Sequence, residues 1–204
     1  MSTFFSPTKL EDAPLIKALF NNTKWSWLWL IVRVYVGYQW LTASLHKLVD
    51  PKWMQTGEAL KGYWLNAVRI PEAPARPPIN YDWYRTFIQS MLDSQSYVWF
   101  AKLIAVGEFL VGVALIIGLF VGLAAFFGGL MNFNFLLAGS LSSGPVLLLL
   151  EILLMVAWKT AGHLGVNYFI HKYLGTFWQA GLIKQRAAPL PSGTQYREKD
   201  QTPA

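Results

Sequence analysis

Residues 97–137 read YVWFAKLIAVGEFLVGVALIIGLFVGLAAFFGGLMNFNFLL and contain only two charged side chains. A helix needs about 20 apolar residues to cross a bilayer, so this stretch is long enough for two transmembrane helices. The glycines of GLFVGL, residues 118–123, permit a turn between them. We therefore predict membrane spans at about residues 97–119 and 120–141.

Two further apolar segments flank this pair, at residues 25–48 and 145–162, and Pro145 is well placed to start the last helix. Only 14% of the chain is charged, whereas soluble domains carry about 25%. The predicted fold is an all-α, integral membrane four-helix bundle. Small residues in the third span, which let helix backbones approach closely, are Ala124, Ala125, Gly128 and Gly129.

The long segment between the first two spans, residues 49–96, is both polar and aromatic. Asp50 followed by proline is typical of a helix start, and a second helix is predicted from Asp82. In the first of these helices one face carries Trp53, Leu60, Trp64 and Ala67. This pattern predicts helices that lie at the membrane interface.

The terminal segments indicate the orientation. Nine basic residues lie in the N- and C-terminal flanks, whereas five basic residues in the long loop are balanced by five acidic ones. The positive-inside rule then places both termini in the cytoplasm of a multi-pass plasma-membrane protein. Residues 1–24 form a cytoplasmic segment without a signal-peptide core, residues 25–180 form the membrane domain, and residues 181–204 are predicted to be a disordered tail.

Several classes of function do not fit the composition. The absence of cysteine excludes disulfide exchange, thiolate metal sites and iron–sulfur ligation. His46 is predicted at the outer end of the first span, and His163 and His171 at the inner end of the fourth, so paired haem ligation within the chain is not expected. No metal site is expected either. The net charge of +6 is dispersed, so no nucleic-acid partner is predicted.

Two charges fall at membrane depth. Counted from the cytoplasmic ends of their helices, Arg33 and Glu108 lie at about 12 and 16 Å. A lone charge is costly there, so we predict a structural ion pair between them. The alternative is that Glu108 is a catalytic carboxyl that relays protons.

A second polar group is predicted nearer the outer face. Its members are Trp40, His46, Lys47, Asn132, Asn134 and Glu151. A quinone ring needs hydrogen bonds to its carbonyl oxygens and a proton path. His46 and Asn134 would hold those oxygens, Lys47 would favour an anionic form or donor, and Glu151 would handle protons. The alternative is that these residues bond one another and anchor the helices.

Several segments together resemble the DoxX/DoxD family of prokaryotic membrane proteins. They are RVYVGYQWLTASLHKLVDPKW, INYDWYRTF, FAKLIAVGEFLVGVALIIGLFVGLAAFFGGLMNFNFLLAGS and EILLMVAWKTAGHLG. The resemblance covers about residues 25–165 and includes the order of the elements. Ser44 departs from the pattern, since similar sequences commonly carry glycine there.

The resemblance implies a four-helix membrane bundle. It also implies a quinone-interacting redox subunit that passes electrons from thiosulfate, or a similar reduced sulfur compound, to a membrane quinone. A second redox subunit or a homo-oligomer would be the partner. Other members of the family are linked to complexes with oxidative-stress enzymes, so a non-catalytic membrane scaffold for redox enzymes is the alternative. A small-solute transporter is less favoured because no internal repeat is found.

Overall fold

The computed structural model describes residues 13–173, 175–176 and 179–180, and the protein is all-α apart from one two-residue antiparallel pairing. The described helices are α1 (Pro14–Asn21), a 3₁₀ turn (Thr23–Trp25), α2 (Ser26–Val49), α3 (Pro51–Met54), α4 (Glu58–Val68), α5 (Asp82–Asp93), α6 (Tyr97–Ile117), α7 (Val121–Leu137), α8 (Gly144–Val156), α9 (Trp158–Ala161) and α10 (Val166–Tyr173). The chain divides into two compact units, residues 1–167 and 168–204. The pairing of Gly175–Thr176 with Gln179–Ala180 belongs to the second unit, and the candidate site lies entirely in the first. The predicted tail, residues 181–204, lies outside the described residues.

The apolar run that suggested two spans is divided where predicted. Helix α6 ends at Ile117 and α7 begins at Val121. Between them Gly118 has φ 73° and Phe120 has φ 45°, so the chain reverses through two left-handed residues. Glycine adopts this conformation without a steric cost, which explains the position of the turn.

Helices α2 and α6 pack closely. A Cβ at Gly37 would lie 2.9 Å from the carbonyl oxygen of Gly112, and one at Gly112 would lie 2.8 Å from the backbone nitrogen of Leu41. The two backbones therefore touch without a side chain between them. Small-residue packing was predicted for the third span, and the structure shows it between the first two as well.

Gly112→Ala should therefore destabilise the protein by about 2 kcal/mol, because the added methyl meets backbone atoms that cannot rotate away. The matched control is Gly107→Ala on the same helix, where the new Cβ would meet a single neighbour, the flexible Sδ of Met131 at 3.4 Å. Alanine is the better helix former by about 1 kcal/mol, so the control should be neutral or stabilising. Thermal unfolding in mild detergent measures both, and equal effects would show that the α2–α6 contact is not tight.

The loop helices differ from the prediction in two ways. The Asp50 carboxylate does cap a helix, accepting from the backbone N–H two residues on at 2.9 Å, but Gly57 at φ 72° separates α3 from α4. Leu60, Trp64 and Ala67 are buried in a cluster with residues of α5 and α6. The face predicted to lie in the interface therefore packs inside the protein, because α5 covers it.

Length and composition distinguish the four long apolar segments. Among the described helices, α6 alone is both long and apolar enough to cross a membrane by these criteria. Helices α7 and α8 are apolar but shorter, with 17 and 13 residues. The predicted fourth span is interrupted at Ala157, between α8 and α9.

Candidate functional site

Five of the predicted site residues line one cavity, which has a volume of about 580 Å³. They are Trp40, His46 and Lys47 from α2, Glu108 from α6 and Asn132 from α7. This volume lies in the usual range for small-molecule sites, roughly 300–1,000 Å³. We call it the polar cavity.

An ion pair between Lys47 and Glu108 forms one wall. The Lys47 Nζ donates to Oε1 at 2.5 Å and to Oε2 at 2.7 Å. The Glu108 side chain is 1% exposed, and that of Lys47 is 20% exposed. Glu108 is therefore neutralised by a cation that also faces the cavity.

The predicted ion pair between Arg33 and Glu108 is wrong. Arg33 is 2% exposed and donates instead to two backbone oxygens, that of Ala161 at 3.0 Å and that of Leu164 at 2.8 Å. The last carbonyls of a helix lack intrahelical partners and carry partial negative charge, so they accept from a cation. The partners of Arg33 are therefore backbone carbonyls at and just after the end of α9, and not the Glu108 carboxylate.

Glu151 is fully buried directly behind the polar cavity. Its Oε1 accepts from Trp40 Nε1 at 2.7 Å, and its Oε2 accepts from Asn132 Nδ2 at 3.1 Å. Asn132 Nδ2 also donates to the backbone oxygen of Gly144 at 3.0 Å. Since Trp40 and Asn132 line the cavity, one hydrogen bond connects the Glu151 carboxyl to each of these two wall residues.

Gly128 makes room for this network. A Cβ at this position would lie 3.0 Å from Glu151 Oε1 and 3.1 Å from Trp40 Nε1. The small residues predicted to allow close helix packing thus also accommodate a buried carboxyl. Both donors to Glu151 are neutral, and no cation in the described part of the chain forms an ion pair with this carboxyl.

Asn134 does not join the other predicted residues. Its Nδ2 donates to the carbonyl oxygen of Leu130 at 2.7 Å, and its Oδ1 accepts from the Tyr84 hydroxyl at 3.3 Å. Two helical residues two positions apart point about 160° apart, and Asn132 and Asn134 accordingly line different cavities. The assignment of a quinone oxygen to Asn134 is therefore corrected.

Asn134 lines a second space, of about 510 Å³, between α4, α5, α6 and α7. Most of its walls are hydrocarbon, and we call it the apolar cavity. Burial, with a smaller contribution from Tyr63, raises the pKa of Tyr84 to about 12. The Tyr84 hydroxyl therefore stays protonated at neutral pH and can donate to Asn134.

Aromatic side chains that sequence reasoning did not identify complete the site. Lys47 Nζ lies 4.8 Å from the centre of the Trp53 ring and 5.4 Å from that of Phe135, both favourable cation–π distances. Tyr63 and Phe135 line both cavities. The sequence pattern predicts Trp53 on a face that lies at the membrane interface. Its position over Lys47 depends on the turn between α2 and α3, which the pattern does not specify.

His46 lies exposed on α2 at the polar cavity. Within the described residues no three His, Asp or Glu side chains are grouped so that they could hold a metal ion. The expectation of no haem and no metal stays a prediction. Comparison with known proteins finds no matching family model, no matching curated protein and no matching solved structure.

Proposed function

We propose that the first unit is an integral membrane four-helix bundle built from α2, α6, α7 and the α8–α9 segment. The support is the apolar surface that these helices turn outward. Side chains between 44% and 59% exposed include Ile31, Tyr38, Leu103, Leu110, Phe126, Leu149 and Ile152. Contiguous apolar patches beyond roughly 300–600 Å² are unusual on soluble monomers, and a lipid environment accounts for this surface.

The shorter helices are compatible with such a bundle. At 1.5 Å per residue, α7 extends about 26 Å, and residues 144–161, interrupted at Ala157, extend at most about 27 Å, against roughly 30 Å for the bilayer core. In this proposal the protein is a multi-pass plasma-membrane protein with both termini cytoplasmic. The polar cavity then lies towards the outer leaflet.

We further propose that the polar cavity binds the ring of a membrane quinone. The observation that carries the proposal is the Lys47–Glu108 ion pair in the wall of a cavity of about 580 Å³. An ammonium has three N–H donors, and two of the Lys47 contacts go to Glu108. One donor therefore stays available for a quinone oxygen, and His46 supplies a donor to the other oxygen.

Glu151 and Glu108 are the proposed proton-exchanging groups. Reduction of a quinone to a quinol consumes two electrons and two protons. The electrons come from a reduced sulfur compound, as when two thiosulfates are oxidised to tetrathionate, either at this chain or through a second redox subunit. The resemblance to the DoxX/DoxD family is the reason for this choice of donor, and the acidic residues beside the cavity provide the proton acceptors and donors.

A non-catalytic scaffold for redox or oxidative-stress enzymes is the second candidate. One observation favours it: Trp40 and Asn132 both donate to Glu151, and Lys47 donates to Glu108. Groups satisfied in this way need no ligand to be stable. In that case the network would fix the helices and the chemistry would belong to the partner.

The two candidates differ in quinone binding, which can be measured on the purified protein in mild detergent with a water-soluble benzoquinone. We expect His46→Ala to weaken binding about tenfold, as for the loss of one ligand hydrogen bond. With thiosulfate added as the electron donor, Glu151→Gln should slow electron transfer to the bound quinone by at least about 100-fold, since general acid–base groups contribute roughly 10²–10⁴.

Leu45→Ala is the matched control for His46→Ala. Leu45 precedes His46 on α2, is 48% exposed and does not line the polar cavity. It should leave binding unchanged. A protein that binds no quinone, or equal binding and electron transfer in all three variants, would favour the scaffold.

A further inference from the structure

The apolar cavity has no role in the proposed chemistry. Its volume is about 510 Å³, close to that of the polar cavity, and residues of α4, α5, α6 and α7 line it. None of the described residues that line it is charged. The polar groups of Tyr84 and Asn134 at its wall bond each other.

The two cavities share two wall residues. Tyr63 and Phe135 line both, and the Tyr63 hydroxyl lies 3.4 Å from the Phe135 carbonyl oxygen. Their rings meet edge to face with centroids 6.2 Å apart. Lys47, in the polar cavity, lies 5.4 Å from the centre of the same Phe135 ring. A polar site with an ion pair and a hydrocarbon-lined site thus meet at one pair of aromatic side chains.

The apolar cavity also opens towards the outer surface of the helices. Leu103 and Leu110 of α6 and Leu130 of α7 line it and are 57%, 59% and 47% exposed. These side chains belong to the surface assigned above to lipid. A chain molecule could therefore enter sideways from the bilayer without crossing a polar region.

We propose that the apolar cavity holds the isoprenoid tail of the quinone whose ring lies in the polar cavity. This inference rests on the proposed function. An empty apolar cavity is not favourably filled by water, and its lining forgoes dispersion contacts until a hydrocarbon occupies it. Because the ring and the tail belong to one molecule, binding of the ring in the polar cavity raises the effective concentration of the tail at the apolar cavity, and the reverse also holds.

The lining favours this occupant over the acyl chain of a separate phospholipid. A phospholipid carries a charged phosphate, which needs a cation or several N–H donors. The described lining residues of the apolar cavity provide no cation, whereas the head site of a quinone is present on the other side of Phe135. The uncharged, branched tail needs only hydrocarbon contacts.

Gly107 allows a sharp test because it lines the apolar cavity next to Glu108 in sequence. A Cβ at Gly107 would have one neighbour within 4 Å, Met131 Sδ at 3.4 Å. Leucine there should extend into the cavity without disturbing the backbone.

Binding is measured in detergent for a tail-free benzoquinone and for the same ring with a long isoprenoid tail. Gly107→Leu should weaken binding of the tailed quinone on the order of tenfold, comparable to losing one or two buried methylene-sized contacts, and leave the tail-free ring unchanged.

Two controls accompany this variant. Gly62→Leu makes the same change on α4 at a position where a Cβ meets no atom within 4 Å and where neither cavity is lined. It should alter neither affinity. Gly107→Ala should give a smaller loss than Gly107→Leu, and thermal unfolding confirms that each variant is folded.

The outcomes separate this inference from the proposed function. Equal losses for both quinones in Gly107→Leu, or no loss for either, would overturn the tail site. The proposed function would still stand, because the wild type binds the ring in either case. The tail site would also be overturned if a phospholipid occupies the apolar cavity instead. Such a phospholipid would stay bound to the wild type in excess tailed quinone and would be lost from Gly107→Leu. If the wild type binds neither quinone, the proposed function fails and the tail site fails with it.

Discussion

Lys47→Met should lower the free energy of unfolding by about 3 kcal/mol, because it leaves the Glu108 carboxyl buried without its cation. Glu108 is 1% exposed and both of its oxygens contact Lys47 Nζ. The double variant Lys47→Met with Glu108→Gln should recover much of the loss, since no uncompensated charge then remains. Denaturant unfolding of the four proteins in mild detergent gives the coupling free energy.

Lys61→Met is the control for this cycle. Lys61 lies exposed on α4, with its Nζ 5.2 Å from the Tyr97 ring centre, so its replacement should change stability by less than about 1 kcal/mol. A second cycle, Arg33→Met with Glu108→Gln, should be additive because these two residues have different partners. Additivity in the first cycle would contradict the Lys47–Glu108 pair, and strong coupling in the second would restore the pairing predicted from depth.

The direction of side chains explains why depth gave the wrong partner. Side chains of an α-helix lean towards its N-terminus. On α2 this carries Arg33 towards the start of the helix and Lys47 back towards its middle. On α6, which runs the opposite way, it carries Glu108 towards the helix start, where α2 ends. Glu108 and Arg33 thus lean apart and Glu108 and Lys47 lean together. The register of the two helices adds to this: Gly112 of α6 packs against Gly37 and Leu41 of α2, so Glu108, one turn before Gly112, lies near the end of α2.

The long helices were predicted from apolar segments with few charged residues, and the turn between α6 and α7 was predicted from glycines. The turn after Ile117 lies where GLFVGL predicted it, because few other residues adopt left-handed backbone at low cost. The polar cavity was predicted in part, because polar side chains in apolar helices need partners: Trp40 and Asn132 line it, whereas Asn134 does not. Membrane insertion and quinone binding stay predictions, since neither is tested by the fold.

The rest of the site depends on tertiary placement. Phe135 and Tyr63 are ordinary aromatic residues in their own segments, and nothing local marks them as walls between two cavities. Their roles arise because α4 and α5 pack over α6 and α7. The same packing buries the apolar face of α4 inside the protein, since amphipathicity shows which face is apolar but not what covers it. The position of α4 at the membrane interface stays a prediction.

Arg33→Met should cost about 4 kcal/mol of stability, because two charge-assisted hydrogen bonds to carbonyl oxygens are lost at a buried position. The guanidinium binds Ala161 and Leu164, and a Cβ at either Gly118 or Gly165 would collide with it. Arg33 therefore joins the α6–α7 turn to the segment after α9. The backbone N–H of Asn167, which donates to the Gly118 oxygen at 2.9 Å, should exchange with solvent markedly faster in the variant.

Arg33→Lys distinguishes geometry from charge in this prediction. Lysine keeps the positive charge but lacks the planar fork that reaches two separate carbonyls. We expect it to retain part of the stability and little of the Asn167 protection. If Arg33→Lys matches the wild type in both measurements, the charge alone stabilises the end of α9. If Arg33→Met also matches it, Arg33 does not hold this end of the helices together, and the carbonyls of Ala161 and Leu164 must find other donors.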